Sequence, residues 1–200
     1  RLDGERRGRD EAQALVDTLA ARDEPDPPRL DWQRPADHTL ADLVDFAPHL
    51  DDAARAGLEA ALQASGLLSA RVVDGTAFAL DSGELVAVAG DAVPNPLGEL
   101  LVVTVPARLA AEVDATLVER LLDSISSDPA SAAPNAVAPD GRFRVGALAG
   151  RHAKTRAELV GASARREALE RERARAAEAL EAARAVVSAS ERERERRAGE

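Results

Sequence analysis

Apolar residues recur at alternating spacings of three and four along the last quarter of the chain, which is typical of one side of a coiled-coil helix. No Pro or Gly interrupts residues 162–198, so the pattern predicts one long helix within residues 155–200. Ala and Arg occupy positions where Leu would pack better, so we expect this helix to require a partner. The repeating positions are Leu159, Ala162, Arg166, Leu169, Arg173, Ala176, Leu180, Ala183, Val187 and Ser190.

A shorter helical pattern opens the chain and predicts a helix within residues 1–24. The stretch DEPDPPRL ends it, because Pro lacks an amide hydrogen. The two helices are expected to form an antiparallel coiled coil. Next to the domain, Val16 and Leu19 would pack near Leu159 and Ala162, with Leu169 also on the contact side, and the distal half of the longer helix would have no partner. The alternative is two solvated tails, since charged runs often lie at the surface.

Residues 25–154 mix short helical and strand patterns, which predicts a compact α+β domain. Helices are predicted over LADLVDFA, over DAARAGLEAALQAS after the capping residue Asp51, and over ATLVERLLDSI. Strands are predicted in SARVV, TAFAL, ELVAVA, GELLVVTVP and RFRVGAL, with Asp74-Gly75 as a tight hairpin turn between the first two. The stretch SSDPASAAPNAVAP is expected to be a loop.

Composition narrows the classes of function. The aromatic residues are Trp32, Phe46, Phe78 and Phe143, so the core must be aliphatic and the chain offers no stacking platform for single-stranded nucleic acid. The absence of Cys excludes disulfides and thiolate metal sites. No apolar run reaches the roughly 18 residues of a membrane helix, so a cytoplasmic setting is the default. The absence of Met predicts a piece of a longer chain.

Charge is distributed unevenly. Residues 25–150 carry 8 Lys/Arg against 19 Asp/Glu, whereas residues 151–200 carry 13 Lys/Arg against 10 Glu. Because DNA binding depends on phosphate neutralisation, the acidic domain should repel DNA. Any DNA binding should therefore be weak, sensitive to salt and confined to arginines of the last helix. The candidates are Arg165, Arg166, Arg171 and Arg173.

No pattern of side chains predicts catalysis, a cofactor or a metal ion. GALAGRHAKT differs from a phosphate-binding loop because Ala153, and not Gly, precedes Lys154. The three histidines, His38, His49 and His152, have no metal-ligand spacing. A cluster of Asp42, Asp45, Asp51 and Asp52 is compatible with Ca²⁺ or acid/base chemistry, but its position at predicted helix starts favours capping.

The strand DGRFRVGALAG followed by ELVGASARREALERERARAAEALEAA resembles the hinge and outgoing coiled coil of SMC-like proteins of the MukB/MksB type, most of all the JetC-type subunits of Wadjet plasmid-defence systems. LVDFAPHLDDAARAGLEAALQASGLLSARV also resembles the first half of that family's middle region. The segment that opens the returning arm is matched by Leu159, Val160, Gly161, Ala162, Arg165, Arg166 and Glu167.

The resemblance implies a homodimeric hinge over residues 25–154 that joins two arms. ABC-type ATPase heads would lie outside these residues. The full protein would act on DNA in the nucleoid with kleisin, winged-helix and nuclease partners, in plasmid defence or chromosome organisation. The alternative is a non-catalytic acidic adaptor that presents a helix to a partner protein.

A two-fold dimer needs an apolar edge or face that the small core leaves uncovered. ELVAVA is short, apolar on both faces and bounded by Gly83 and Gly90, which favours an edge strand. We therefore predict the dimer contact at Leu85, Val86 and Val88. LLVVTV is the second candidate, but its uniform apolarity favours a buried central strand.

Overall fold

The computed structural model describes residues 2–22, 28–75 and 80–199. They divide into two compact units, one within residues 1–25 and 166–200 and the other within residues 26–165. The chain is α+β, with a long helix near each end of the sequence. No helix within the described ranges combines the length and the apolar character needed to cross a membrane.

The first unit consists of two antiparallel helices, α1 (Leu2–Ala20) and the part of α5 (Ala162–Ala198) that follows residue 165. Leu19 packs with Leu169 and Ala176, and Val16 joins this cluster. Near the start of α1, the guanidinium of Arg6 donates a hydrogen bond of 2.7 Å to the carboxylate of Glu191, which lies near the end of α5.

This pairing differs from the expected one in two respects. The contact partner of Leu19 lies further along α5 than was expected, at Leu169, whereas Leu159 packs against the core of the second unit. The distal half of α5 has a partner, because α1 reaches Glu191. Both differences have one cause. Residues 152–161 contain no helix, so α5 begins at Ala162 and the paired positions move towards its C terminus.

The second unit is organised around α3 (Asp52–Ala64), whose residues Leu58 and Leu62 are fully buried. Asp51 caps this helix by accepting the N–H of Ala54 at 2.8 Å. α3 packs against an antiparallel sheet of three strands, β5 (Asn135–Val137), β6 (Arg142–Val145) and β7 (Leu148–Arg151). Gly57 permits the close approach, because a Cβ there would lie 1.8 Å from the carbonyl oxygen of Pro139.

Two smaller sheets complete the core. β1 (Val44–Phe46) pairs antiparallel with β4 (Leu101–Val103), and β2 (Arg71–Val73) pairs parallel with β3 (Val86–Val88). The other α-helices of this unit are α2 (Leu40–Leu43) and α4 (Ala115–Asp123), the latter capped by Asp114, and three short 3-10 helices lie at Leu67–Ser69, Leu97–Glu99 and Ala107–Leu109. Aliphatic side chains from all these elements form one hydrophobic cluster.

Several strand predictions need correction. LLVVTV is not a buried central strand within the described residues, since β4 has one neighbour and Val102 is 40% exposed. RFRVGAL is interrupted at Gly146, where the chain turns from β6 into β7. The stretch predicted as a loop contains β5, whose Ala136 and Val137 are fully buried. The predicted hairpin after Asp74 has its second strand at residues 76–80, of which 76–79 lie outside the described residues.

Cross-linking tests the pairing of α1 with α5. Leu19→Cys combined with Leu169→Cys should give an intramolecular product with a short thiol-specific linker, because both side chains belong to one buried cluster. Leu19→Cys combined with Val187→Cys is the matched control, since 18 residues of helix separate positions 169 and 187, or about 27 Å at 1.5 Å per residue. Equal yields from the two pairs would contradict the register.

Candidate functional site

A charged side chain lies at the centre of the second unit. Glu59 is on α3 between Leu58 and Ala60, and all three residues are fully buried. Burying a carboxylate here would destabilise the folded state by several kcal/mol unless the charge were paired and hydrogen-bonded. The environment of Glu59 therefore shows which part of the chain supplies its donors.

The donors come from the segment that precedes α5. Lys154 Nζ lies 2.5 Å from Glu59 Oε1, and the pair is largely shielded from solvent. The backbone N–H groups of Glu158, Leu159 and Val160 also donate to the carboxylate, at 2.8, 2.7 and 2.9 Å. Consecutive amides directed at one anion form a concave binding site for negative charge. Glu59 therefore fixes the backbone of residues 158–160 against α3.

Gly161 completes this turn. Its φ is +83°, and a Cβ there would lie 2.3 Å from Asp45 Oδ1. A residue with a side chain would meet both an unfavourable backbone conformation and a steric clash. The neighbouring Val160 is fully buried, so both sides of the turn are held against the domain.

A second buried ion pair holds the first turn of α5. Arg165 is 6% exposed and donates to the carbonyl oxygens of Ala41 and Leu159 at 2.6 and 3.2 Å. Its guanidinium lies 3.7 Å from the carboxylate of Asp42. Asp42 in turn accepts the backbone N–H of Thr39 at 3.0 Å, at the start of α2. We call Glu59, Lys154, residues 158–161, Asp42 and Arg165 the junction.

The junction holds the segment before α5 against α2 and α3. Its two carboxylates are engaged by donors of the chain itself, and these bonds fix the backbone that precedes α5. Sequence reasoning missed Glu59 and Lys154, and it read Arg165 as a surface residue. The available signal was Glu59 itself, which stands inside the apolar run GLEAAL.

The residues expected to contact DNA do not behave alike. Arg165 is buried in the junction and paired with Asp42, so it is not available to contact DNA. This corrects its prediction as a DNA-contacting residue. Arg173 donates to the carbonyl oxygens of Leu19 and Arg22 at the end of α1, so its charge is used within the helical pair. Arg166 is exposed, and Arg171 lies 3.8 Å from Glu167.

The residues expected at the dimer contact lie on or next to β3. Val86 and Val88 are half-buried, whereas Ala87 between them is buried. Leu85 packs against the hydrophobic core. Within the described residues β3 pairs with β2 alone, so its second edge has no strand beside it there.

The acidic cluster has structural roles where the structure describes bonds for it. Asp51 caps α3 and Asp42 belongs to the junction, while Asp45 accepts the N–H of Phe46 at 2.7 Å. No group of three or more potential metal ligands occurs among the described residues. Capping was the expected role for this cluster, and the structure confirms it for Asp51.

His38 lines a cavity of about 630 Å³ in the second unit. The residue is 8% exposed, and its Nδ1 has no hydrogen-bond partner in the described part of the chain. Arg34, Arg71 and Glu84 also line the cavity, and their ion pairs are long, at 3.8 and 3.9 Å. Burial lowers the pKa of His38, and the charge of Arg71 acts in the same direction.

Comparison with known proteins gave no relative: no protein-family model, no curated protein and no solved structure matches this chain. The functional proposal therefore rests on the geometry of the junction and on the edge of β3 that has no neighbouring strand among the described residues.

Replacing Glu59 tests the junction. Glu59→Gln should lower the free energy of unfolding of the second unit by about 3 kcal/mol, because it leaves Lys154 unpaired and turns a side-chain amide towards backbone N–H donors. Chemical denaturation followed by circular dichroism measures this change. Glu112→Gln, at an exposed position of the same unit, should change it by less than about 0.5 kcal/mol. Equal small effects would contradict the assigned role of Glu59.

The lowered pKa of His38 predicts a dependence of stability on pH. Below a pH of about 6.5 the unfolded state takes up a proton on this imidazole before the folded state does, so stability falls as the pH falls. The thermal midpoint should therefore decrease between pH 7.5 and 5.5, above the range in which most carboxylates titrate. His38→Asn should reduce that slope. An unchanged slope in the variant would show that other groups cause it.

Proposed function

We propose that this chain is the hinge and dimerisation module of an SMC-like protein of the MukB/MksB or JetC type. The junction carries the proposal. A hinge must hold the end of its arm firmly, and here two buried charges of the domain, Glu59 and Asp42, bind the segment that begins α5. The antiparallel pairing of α1 with α5 also supports it, because such an arm requires the chain to leave and return along one helical pair.

Four of the residues that carry the family resemblance also belong to the junction. Leu159 and Val160 donate to Glu59, Gly161 makes the positive-φ turn, and Arg165 pairs with Asp42. The role of this module would be mechanical. A pull along α5 would be opposed first by these hydrogen bonds and ion pairs, and then by the core to which α3 belongs.

We further propose that two copies associate through β3. The edge of β3 that has no strand beside it among the described residues carries half-buried valines, and it is a suitable surface for a two-fold contact because the same edge of a second copy can extend the sheet. In this proposal ATPase heads, kleisin, winged-helix and nuclease subunits belong to the full protein, in the nucleoid. The module itself has no catalytic role, and exposed arginines such as Arg166 make weak contacts with DNA.

Sedimentation of the chain tests the dimer. The chain should sediment as a dimer, and Val86→Glu should give a folded monomer, because it places a charge at the centre of the contact. Val102→Glu is the matched control, since it puts the same charge on a half-exposed valine of another strand and should leave the dimer intact. Far-ultraviolet circular dichroism confirms folding, and Val88→Glu replaces Val86→Glu if that variant unfolds.

The outcomes distinguish the two functions. A parent chain that is monomeric at all concentrations would exclude the hinge and favour the acidic adaptor. If the dimer persists in both Val86→Glu and Val88→Glu, the hinge proposal stands but its interface does not lie on β3.

A further inference from the structure

β7 lies at the margin of the three-stranded sheet and pairs with β6 alone among the described strands. Next to β7, the N–H of His152 donates to the carbonyl oxygen of Gly141 at 3.0 Å. Because such bonds alternate along an antiparallel ladder, the backbone groups of Gly150 face β6, whereas those of Ala149 and Arg151 point away from it. The sheet therefore ends in two N–H groups and two carbonyl groups that are directed outwards.

This side of β7 is open to another chain. Ala149 and Arg151 are both exposed, and no described part of the chain forms a hydrogen bond with their outward backbone groups. Ala149 carries only a methyl group, so it leaves the approach to the backbone free. Leu148 is 72% exposed, more than any other large apolar residue of the described ranges. Open backbone groups beside an uncovered apolar side chain can receive an extended peptide as an additional strand. We call the outward side of β7 the β7 edge.

The two faces of the sheet differ in chemistry at the β7 edge. Arg151 lies directly opposite Arg142 of β6, so both side chains are on one face, together with Arg144. Arg142 is paired with Asp140 at 2.6 Å, whereas Arg144 and Arg151 donate to backbone carbonyls and form no ion pair in the described part of the chain. Leu148 is on the opposite face. An added strand therefore meets positive charge on one face and an apolar side chain on the other.

The charge of the β7 edge argues against a second copy of the chain as its occupant. A two-fold antiparallel contact would place Ala149 of each copy opposite Arg151 of the other. The two Arg151 side chains would then be diagonal neighbours on one face, roughly 7–8 Å apart. Arg142 of each copy would add to this positive charge, and like charges at such distances disfavour pairing. An acidic strand has the complementary charge.

We propose that the β7 edge binds an extended segment of a partner protein in which acidic residues alternate with apolar ones. The acidic residues pair through their backbone with Ala149 and Arg151, and their carboxylates face Arg142 and Arg151. The apolar residues lie on the other face, beside Leu148. This site belongs to a different sheet from β3, so it and the proposed dimer contact can fail independently.

A labelled peptide tests this proposal on the full chain. A fluorescent peptide of about seven alternating Val and Glu residues, the length of an ordinary strand, should show a saturable rise in anisotropy. A peptide with Lys in place of Glu should not bind detectably, because its charge matches that of the arginines.

N-methylation of the peptide tests strand addition separately from charge. In the proposed register the Glu residues donate their backbone N–H groups to β7, and those of the Val residues point away from it. Methylation of the central Glu nitrogen removes one donor without changing the charge, so binding should weaken about tenfold. Methylation of a neighbouring Val nitrogen is the matched control and should have a much smaller effect.

Variants of the protein locate the site. Ala149→Pro should weaken binding at least tenfold, because Pro lacks the outward N–H, and an edge strand tolerates Pro where the N–H does not join the ladder. Arg142→Gln combined with Arg151→Gln should weaken binding about fivefold, given the modest strength of exposed charge pairs. Arg120→Gln, which removes an exposed guanidinium of α4, should have no effect. Thermal melting checks folding, and Leu148→Glu replaces Ala149→Pro if that variant unfolds.

Three results would overturn the proposal. Equal effects of the two N-methylations would show that the arginines attract any polyanion, duplex DNA included, and would exclude strand addition. Equal binding of the Lys-Val peptide would exclude charge recognition. Conversion of a dimeric parent chain to a monomer by Ala149→Pro would assign the β7 edge to a second copy of the chain.

Discussion

The burial of the Glu59 carboxylate is the constraint on which the second unit depends. A charge at this depth must be neutralised, and the donors that neutralise it are Lys154 and three consecutive backbone amides. Those amides can converge only if the chain turns sharply, which is why Gly161 follows them. The turn sets where α5 begins, and therefore where Arg165 meets Asp42. One side chain on α3 thus determines the geometry of a segment about a hundred residues away in sequence.

Local signals predicted α3 and α4 because caps and stops act on neighbouring residues, whereas the helix predicted over LADLVDFA ends at Leu43 and its second half forms β1. Asp51 before α3 is such a case, and the spacing of apolar residues identified the long final helix. The strands were less predictable. β5 is three residues long and lies in a stretch rich in Ala, Ser and Pro, where no period of two can be recognised. The parallel pairing of β2 with β3 was not predicted either, because residues far apart in sequence form it.

The buried charges were missed for a related reason. In sequence, a Glu within a helix and an Arg in a charged run both look like surface residues, and only the three-dimensional arrangement places Glu59 beside Lys154 and Arg165 beside Asp42. The surroundings of β3 and β4 were unpredictable for a similar reason. β3 and β4 both appear in sequence as short apolar runs, but the carboxylates around β4 come from α4 and from the turn before the strand. The chemical difference between the two edges therefore arises from tertiary structure.

Arg173 has a consequence for the shorter helix. α1 has no basic residue in its last turn, although a helix leaves carbonyl groups without partners there and carries partial negative charge at that end. From the other helix, Arg173 donates to the carbonyl oxygen of Leu19 in that last turn and to the carbonyl oxygen of Arg22 just beyond it. The C-terminal cap of α1 is therefore supplied by α5, together with the apolar surface that covers Leu19. Helix formation in the first twenty residues is thus conditional on the last forty, and the two segments should fold as one cooperative unit.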